Sequence, residues 1–301
     1  MTLTEMRELL DKRDLQLTKS LGQNFLHDGN QLRRIVDSAK LEPDDQVLEI
    51  GPGLGPLTEI LLEKAKHVLA VELDGRLVEI LAERFGLTGK SDEFPITDEA
   101  ETAATEAEIE TSPGQKLTLL HADALAYLKT EPRDWSEWKL VANLPYSVAS
   151  PILVELAAGR RAPRLLAVTL QLEVAHRLMA ETDADDYGIL TLLVQLDFKP
   201  SGWFKIPAAC FFPAPEVDSA CVLLERRPTP LLPEEHRDTF RRLVKQAFSQ
   251  RRKMMLKLLK QTWPKEQLEA VFAELNISLQ ERAEKLSLEQ FVALTLKLVA
   301  K

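Results

Sequence analysis

The stretch from Gln46 to Leu57, QVLEIGPGLGPL, restricts the fold more than any other part of the chain. Val47, Leu48 and Ile50 make a short apolar run that stops at Gly51, Gly53 and Gly55, the pattern of a buried strand entering a tight turn before a helix. Glycines at such a turn let backbone N–H groups approach a ligand with no Cβ in the way. A helix over residues 57–65 then aims its N-terminal dipole at the same spot. A second apolar strand over 67–73 carries Glu72, at the distance from the turn where an acidic residue grips ribose hydroxyls.

A glycine turn alone is also what an ordinary strand-to-helix connection needs, so the flanking residues decide the ligand. Pro56 falls where a dinucleotide fingerprint has its third glycine, and Glu49 stands two residues ahead of the turn. That carboxylate repels a pyrophosphate but favours a cation such as the sulfonium of S-adenosylmethionine.

Beyond the turn, apolar runs of strand length alternate with helical patterns, which reads as a doubly wound α/β sheet. Strands are expected at 46–50, 67–72, 116–121, 138–142, 165–171, 202–206 and 217–225, with helices at 57–65, 75–85, 151–158, 173–180 and 188–196. An amphipathic helix is expected near 3–10, a loop over TKSLGQNFLHD (18–28), and a helix over 30–39. PTPLLPEE is a proline-punctuated linker, and from Glu234 to Ala300 the pattern is helical throughout. This divides the chain into a first domain, 1–228, and a small all-α domain, 229–301.

Charge is unevenly placed. The formal net charge is −9, yet residues 86–115 hold eight acids against Lys90, while 237–260 hold nine basic residues against Asp238. The acidic stretch has no sustained apolar period and reads as a disordered or loosely helical insertion. The basic run, FSQRRKMMLKLLK at its centre, could be a solvated helix face, but a surplus this large in an acidic protein fits phosphate contacts better. Cys210 and Cys221 lack metal-ligand spacing and read as reduced residues of a cytoplasmic protein. The histidines are scattered, no metal is expected, and MTLTEMRELLDKRD resembles neither a signal peptide nor a membrane span.

Four expected strand ends carry polar residues: Glu49 with the glycine turn, Glu72, Asp123 in HADAL, and Asn143 in NLPY. Ligands in parallel α/β sheets sit beyond these ends. Asp123 suits the amino group of adenine, although capping the next helix would explain it nearly as well. Gln23 and Asn24 are amides within reach of a ligand, or else loop caps. The stretch 143–146 is the most specific. An aromatic amine is a poor nucleophile because its lone pair is delocalised, and the Asn143 carboxamide with the Leu144 carbonyl can accept its N–H groups and localise that pair. Pro145 fixes the turn and Tyr146 stacks on the flipped base.

GQNFL (22–26), EIGPGLG (49–55), VELD (71–74), HADAL (121–125), NLPY (143–146), FFPAPEVDS (211–219) and AFSQRRK (247–253) together resemble the small-subunit ribosomal RNA adenine dimethyltransferases over nearly the whole chain. The resemblance implies a Rossmann-like class I methyltransferase fold, with a mostly parallel seven-stranded sheet, plus a helical RNA-facing domain. It implies dimethylation, with S-adenosylmethionine as donor, of two adjacent adenosines near the 3′ end of small-subunit RNA, on an assembling subunit and by a monomer. By matched position, Gln23, Asn24, Leu26, Gly51, Gly53, Glu72, Asp123 and Asn143 would line the cofactor. Asn143, Leu144, Pro145, Tyr146 and Phe211 would hold the target base, with Phe211 as the second face of an aromatic sandwich. Ser147 and Glu216 depart from the family pattern, which commonly has asparagine and lysine there. A large-subunit adenine methyltransferase of the macrolide-resistance type and a non-catalytic assembly or transcription factor on the same fold are the alternatives.

Overall fold

A computed structural model describes residues 1–15, 23–86, 105–112, 115–130, 133–158 and 161–300. Helix α1 (Leu3–Lys12) starts on a capping box in which Thr2 and Glu5 exchange hydrogen bonds. It is followed by β1 (Phe25–Leu26), α2 (Gly29–Ser38), β2 (Gln46–Ile50), α3 (Pro56–Leu62), β3 (His67–Glu72) and α4 (Gly75–Arg84). Next come β4 (Thr105–Ser112), β5 (Gln115–His121), α5 (Ala124–Thr130), β6 (Trp138–Asn143), α6 (Ala149–Leu156), β7 (Leu165–Gln171) and α7 (Leu172–Met179). The chain continues through α8 (Ile189–Gln195), β8 (Phe198–Ile206), β9 (Phe211–Phe212) and β10 (Ser219–Arg226) to α9 (Arg237–Ala247), α10 (Met255–Leu259), α11 (Lys265–Glu274) and α12 (Leu288–Val299).

The main sheet has the order β4-β5-β3-β2-β6-β7-β10-β8. Strands β5, β3, β2, β6 and β7 run parallel, and β10 lies antiparallel to β7. Their cores are nearly continuous apolar runs, as strands covered on both faces require: Val47, Leu48, Val68, Leu69, Leu140 and Val141 are at most 1 % exposed. The chain travels from β2 out to β5, then returns to the other side of β2 as β6. That reversal opens a crevice beyond the carboxyl ends of β2 and β6.

The Rossmann-like α/β class is as the sequence implies. Among the described residues the sheet contains the seven expected strands and an eighth, β4, which adds an antiparallel edge to β5. This corrects the reading of 86–115 as wholly disordered or loosely helical. Residues 105–112 are strand, with Glu106 opposite Leu120 and Glu108 opposite Thr118; the remainder of that stretch, 87–104 and 113–114, lies outside the described residues. A stretch this polar gives no local strand signal, and its backbone is ordered by the ladder with its neighbour. The loop expected over 18–28 is corrected likewise at Phe25–Leu26, which pair antiparallel with Phe212 and Phe211 in a separate two-stranded ribbon.

The chain forms two compact units. The first comprises Met1–Leu156, Arg161–Ala175 and Ser201–Glu225, the second Ala157–Arg160, His176–Pro200 and Arg226–Lys301. The second thus includes a segment that the expected boundary at 228/229 would assign to the first domain. Within it, Phe240, Leu243, Val244, Phe272, Phe291 and Leu294 are fully buried. Arg237, at the start of α9, clamps the carboxylate of Asp197 through both terminal guanidinium nitrogens, at 2.6 and 2.5 Å. Arg237 is therefore a buried structural cation and drops out of the basic surface run. Among the described residues no helix is long and apolar enough to cross a membrane.

Candidate active site

The crevice beyond β2 and β6 holds a cavity of about 200 Å³ within the first unit. Its wall includes Gln23, Asn24, Gly51, Gly53, Glu72, Asp123, Asn143, Leu144, Pro145 and Tyr146, ten positions singled out by the sequence. Apolar side chains, among them Phe25, Ile50, Val71, Leu77 and Ile152, supply much of the remaining wall.

The glycine turn is shaped by close contacts. Gly51 and Gly53 both sit at positive φ, +70° and +62°, and a Cβ on Gly53 would meet the Phe25 ring at 2.7 Å. The Gly53 N–H donates to Glu72 Oε2 at 3.1 Å, while Glu72 Oε1 accepts from the N–H groups of Leu73 and Asp74. Burial raises the Glu72 carboxyl above its usual range, against the pull of those three amides. They occupy three of a carboxylate's roughly four acceptor positions, which leaves space for one further donor.

Gln23 is fixed through Nε2, which donates to Asp74 Oδ2 at 2.9 Å. Burial pushes Asp74 up, but hydrogen bonds from Arg76 and Gln23 outweigh it and hold the carboxyl below the usual range. Asp123 Oδ1 accepts from the Ala126 N–H at 2.8 Å, so it caps α5 and also faces the cavity. The two readings of this residue are thus compatible.

Asn143 ends β6. Its Nδ2 donates to the Asn24 carbonyl at 3.0 Å, and since a carbonyl only accepts, this contact fixes which way the amide points. Oδ1 is left buried with no hydrogen-bond partner among the described residues. The Leu144 N–H is tied to the Thr169 carbonyl at 3.0 Å, and the Val148 N–H to that of Pro145 at 3.1 Å. Tyr146 is anchored through its hydroxyl to Ser219 Oγ at 2.6 Å, and burial raises the phenol above its usual value.

Three expectations are not met. Leu26 and Phe211 are each 2 % exposed and pack in the main apolar core instead of lining the cavity. The reason is strand alternation: Leu26 and Phe211 are cross-strand partners in the β1–β9 ribbon, and they share the face opposite to that of Phe25 and Phe212. The sandwich assigned to Phe211 is therefore not formed. Phe25, which lies within the GQNFL motif, does reach the cavity. Glu49, expected to face a cationic ligand, lines a separate chamber of about 20 Å³ under the turn. It is 1 % exposed, and burial pushes its carboxyl up to about 8.

A doubly wound sheet whose switch point holds a glycine turn, a buried glutamate at the end of the neighbouring strand and a strand-end asparagine defines a Rossmann-like methyltransferase. Residues 14–299 match the model of the ribosomal RNA adenine dimethylase family, and the chain belongs to that family. It is 37 % identical over 299 residues to the ribosomal RNA small subunit methyltransferase A of Geobacillus kaustophilus, covering 96 % of this chain and 93 % of the relative. Among solved structures, a dimethyladenosine transferase from Plasmodium falciparum superposes with a TM-score of 0.72 at 24 % identity, covering 92 % of this chain and 98 % of that one. The 23S rRNA methyltransferase ErmE gives 0.62 at 26 % identity, covering 92 % of this chain and all of the other.

Proposed function

We propose that the enzyme transfers methyl groups from S-adenosylmethionine to the exocyclic amines of two adjacent adenosines near the 3′ end of small-subunit ribosomal RNA, acting as a monomer on an assembling subunit. The unpartnered Oδ1 of Asn143 carries this reading. That oxygen accepts from no donor among the described residues, and a carboxamide oxygen has two lone pairs, so it can take a substrate N–H.

The residues present fit the cofactor. The turn at Gly51 and Gly53 offers a backbone surface that no Cβ obstructs, Glu72 retains an acceptor position for a ribose hydroxyl, and Asp123 keeps Oδ2 clear of its helix cap. When bound, the sulfonium supplies an electrophilic methyl group. Asn143 Oδ1 and the Leu144 carbonyl then accept from the adenine amine and draw its lone pair out of conjugation, while Tyr146, pinned by Ser219, presents its ring to the base. Catalysis on this scheme is mainly positioning and aimed dipoles, with no general base needed before transfer.

The test uses labelled methyl groups with immature small subunits and free large-subunit RNA as separate acceptors. The reading expects transfer to the first alone. Asn143→Ala should bind S-adenosylmethionine within about threefold of the wild type and lose transfer. Unchanged turnover in that variant rejects the role given to Asn143, and label in the large-subunit RNA favours the macrolide-resistance type of activity.

A further inference from the structure

The small chamber under the glycine turn is lined by Glu49, Asn143, Gly51 and apolar side chains including Leu26, Leu32 and Leu57. Phe25, Gly51 and Asn143 line both this chamber and the main cavity, and so form the partition between them. Asn143 is its polar side chain. Two buried oxygens on the chamber's lining residues lack hydrogen-bond partners among the described residues: Glu49 Oε2 and Asn143 Oδ1. One water between them can bridge the pair, donating to Asn143 Oδ1 and either accepting from a neutral Glu49 carboxyl or donating to an ionised one. A volume of about 20 Å³ is what one water needs, whereas a purely apolar chamber would stay dry.

We infer that one ordered water in this chamber bridges Glu49 to Asn143, making Glu49 a positioning residue that holds the carboxamide in place from behind. Asn143 is then held from two sides, by the Asn24 carbonyl on Nδ2 and by the water on one lone pair of Oδ1. A carboxamide oxygen has two lone pairs, so the second remains for the substrate amine. The bridge does not depend on the protonation state of Glu49: a neutral carboxyl donates to the water, an ionised one accepts from it, and in both cases the water donates to Asn143.

The catalytic consequence rests on the methyl-transfer reading, but the water itself does not, so the two can fail separately. A crystal structure of the unmodified protein that orders its waters should show one within about 3 Å of both oxygens; a chamber without density overturns the inference whatever the activity. Glu49→Met fills the same space without a polar atom. It should lower kcat about tenfold or more while S-adenosylmethionine affinity, measured by calorimetry, stays within about twofold, and Glu49→Gln should restore most of the lost kcat. Unchanged kcat in Glu49→Met overturns the proposal, as does an equal loss of affinity and kcat, which would mean that Glu49 serves the cofactor's charge. If Glu49→Met does not fold, Glu49→Gln and the crystallographic water decide: a kcat reduced tenfold in the glutamine variant, or no water, overturns it.

Discussion

Tyr146 and Gly53 each touch a residue from another segment of the chain, and each contact predicts a different failure. Tyr146→Phe keeps the ring but leaves Ser219 Oγ without its phenol partner, so stability should fall by about 1 kcal/mol in urea unfolding. Gly53→Ala puts a Cβ against the Phe25 ring at a positive φ; both effects should lower the melting temperature and weaken S-adenosylmethionine binding by more than about tenfold, read by calorimetry. Glu49 predicts a pH dependence. Burial raises its folded value from 4.5 to about 8, with Glu72 adding to the rise and Thr58 and Arg84 opposing it. The unfolded carboxyl therefore ionises first, and the contribution of Glu49 to stability is full below about 4.5 and is lost as the pH climbs to about 8. Glu49→Gln lacks this proton, so its stability relative to the wild type should grow across that window by up to about 1.4 kcal/mol per pH unit; a constant difference between the two unfolding curves would contradict the burial argument. The residues around 143–146 and the glycine turn were legible because their chemistry is local to a few consecutive positions. Leu26 and Phe211 were misplaced because the face that each presents depends on a pairing partner nearly two hundred positions away, which no local pattern encodes.

At the scale of elements, apolar runs and caps made the parallel strands and their helices readable, since each carries its own period. The β4 edge was not readable: its order comes from β5, and its acids look like loop composition when taken alone. The attachment of α9 to the segment ending at Asp197 was hidden for a related reason, because Arg237 resembles its basic neighbours in sequence. Burial raises the Asp197 carboxyl even though Arg237 lies against it, so removal of that pair from water is expensive. Arg237→Met alone should therefore destabilise by about 3–5 kcal/mol, while adding Asp197→Leu should restore most of the loss, as measured by denaturant unfolding. Additive losses in the double variant would show that the charges contribute net stability.

For the molecule as a whole, the net charge of −9 hides a basic segment whose exposed members include Arg252, Lys253 and Lys257. Replacing those three with glutamine should raise the KM for the RNA acceptor about tenfold and flatten its salt dependence by about two in slope, with cofactor affinity untouched. An unchanged KM would mean that the run is only a solvated face. The β1–β9 ribbon has a bearing on how the protein comes into being. Gln23 and Asn24 border the cavity immediately ahead of a strand whose partner is Phe211–Phe212, so the first wall of the pocket is closed by residues made long after it. A nascent chain halted short of residue 211 has its glycine turn but lacks the strand that pairs with this wall.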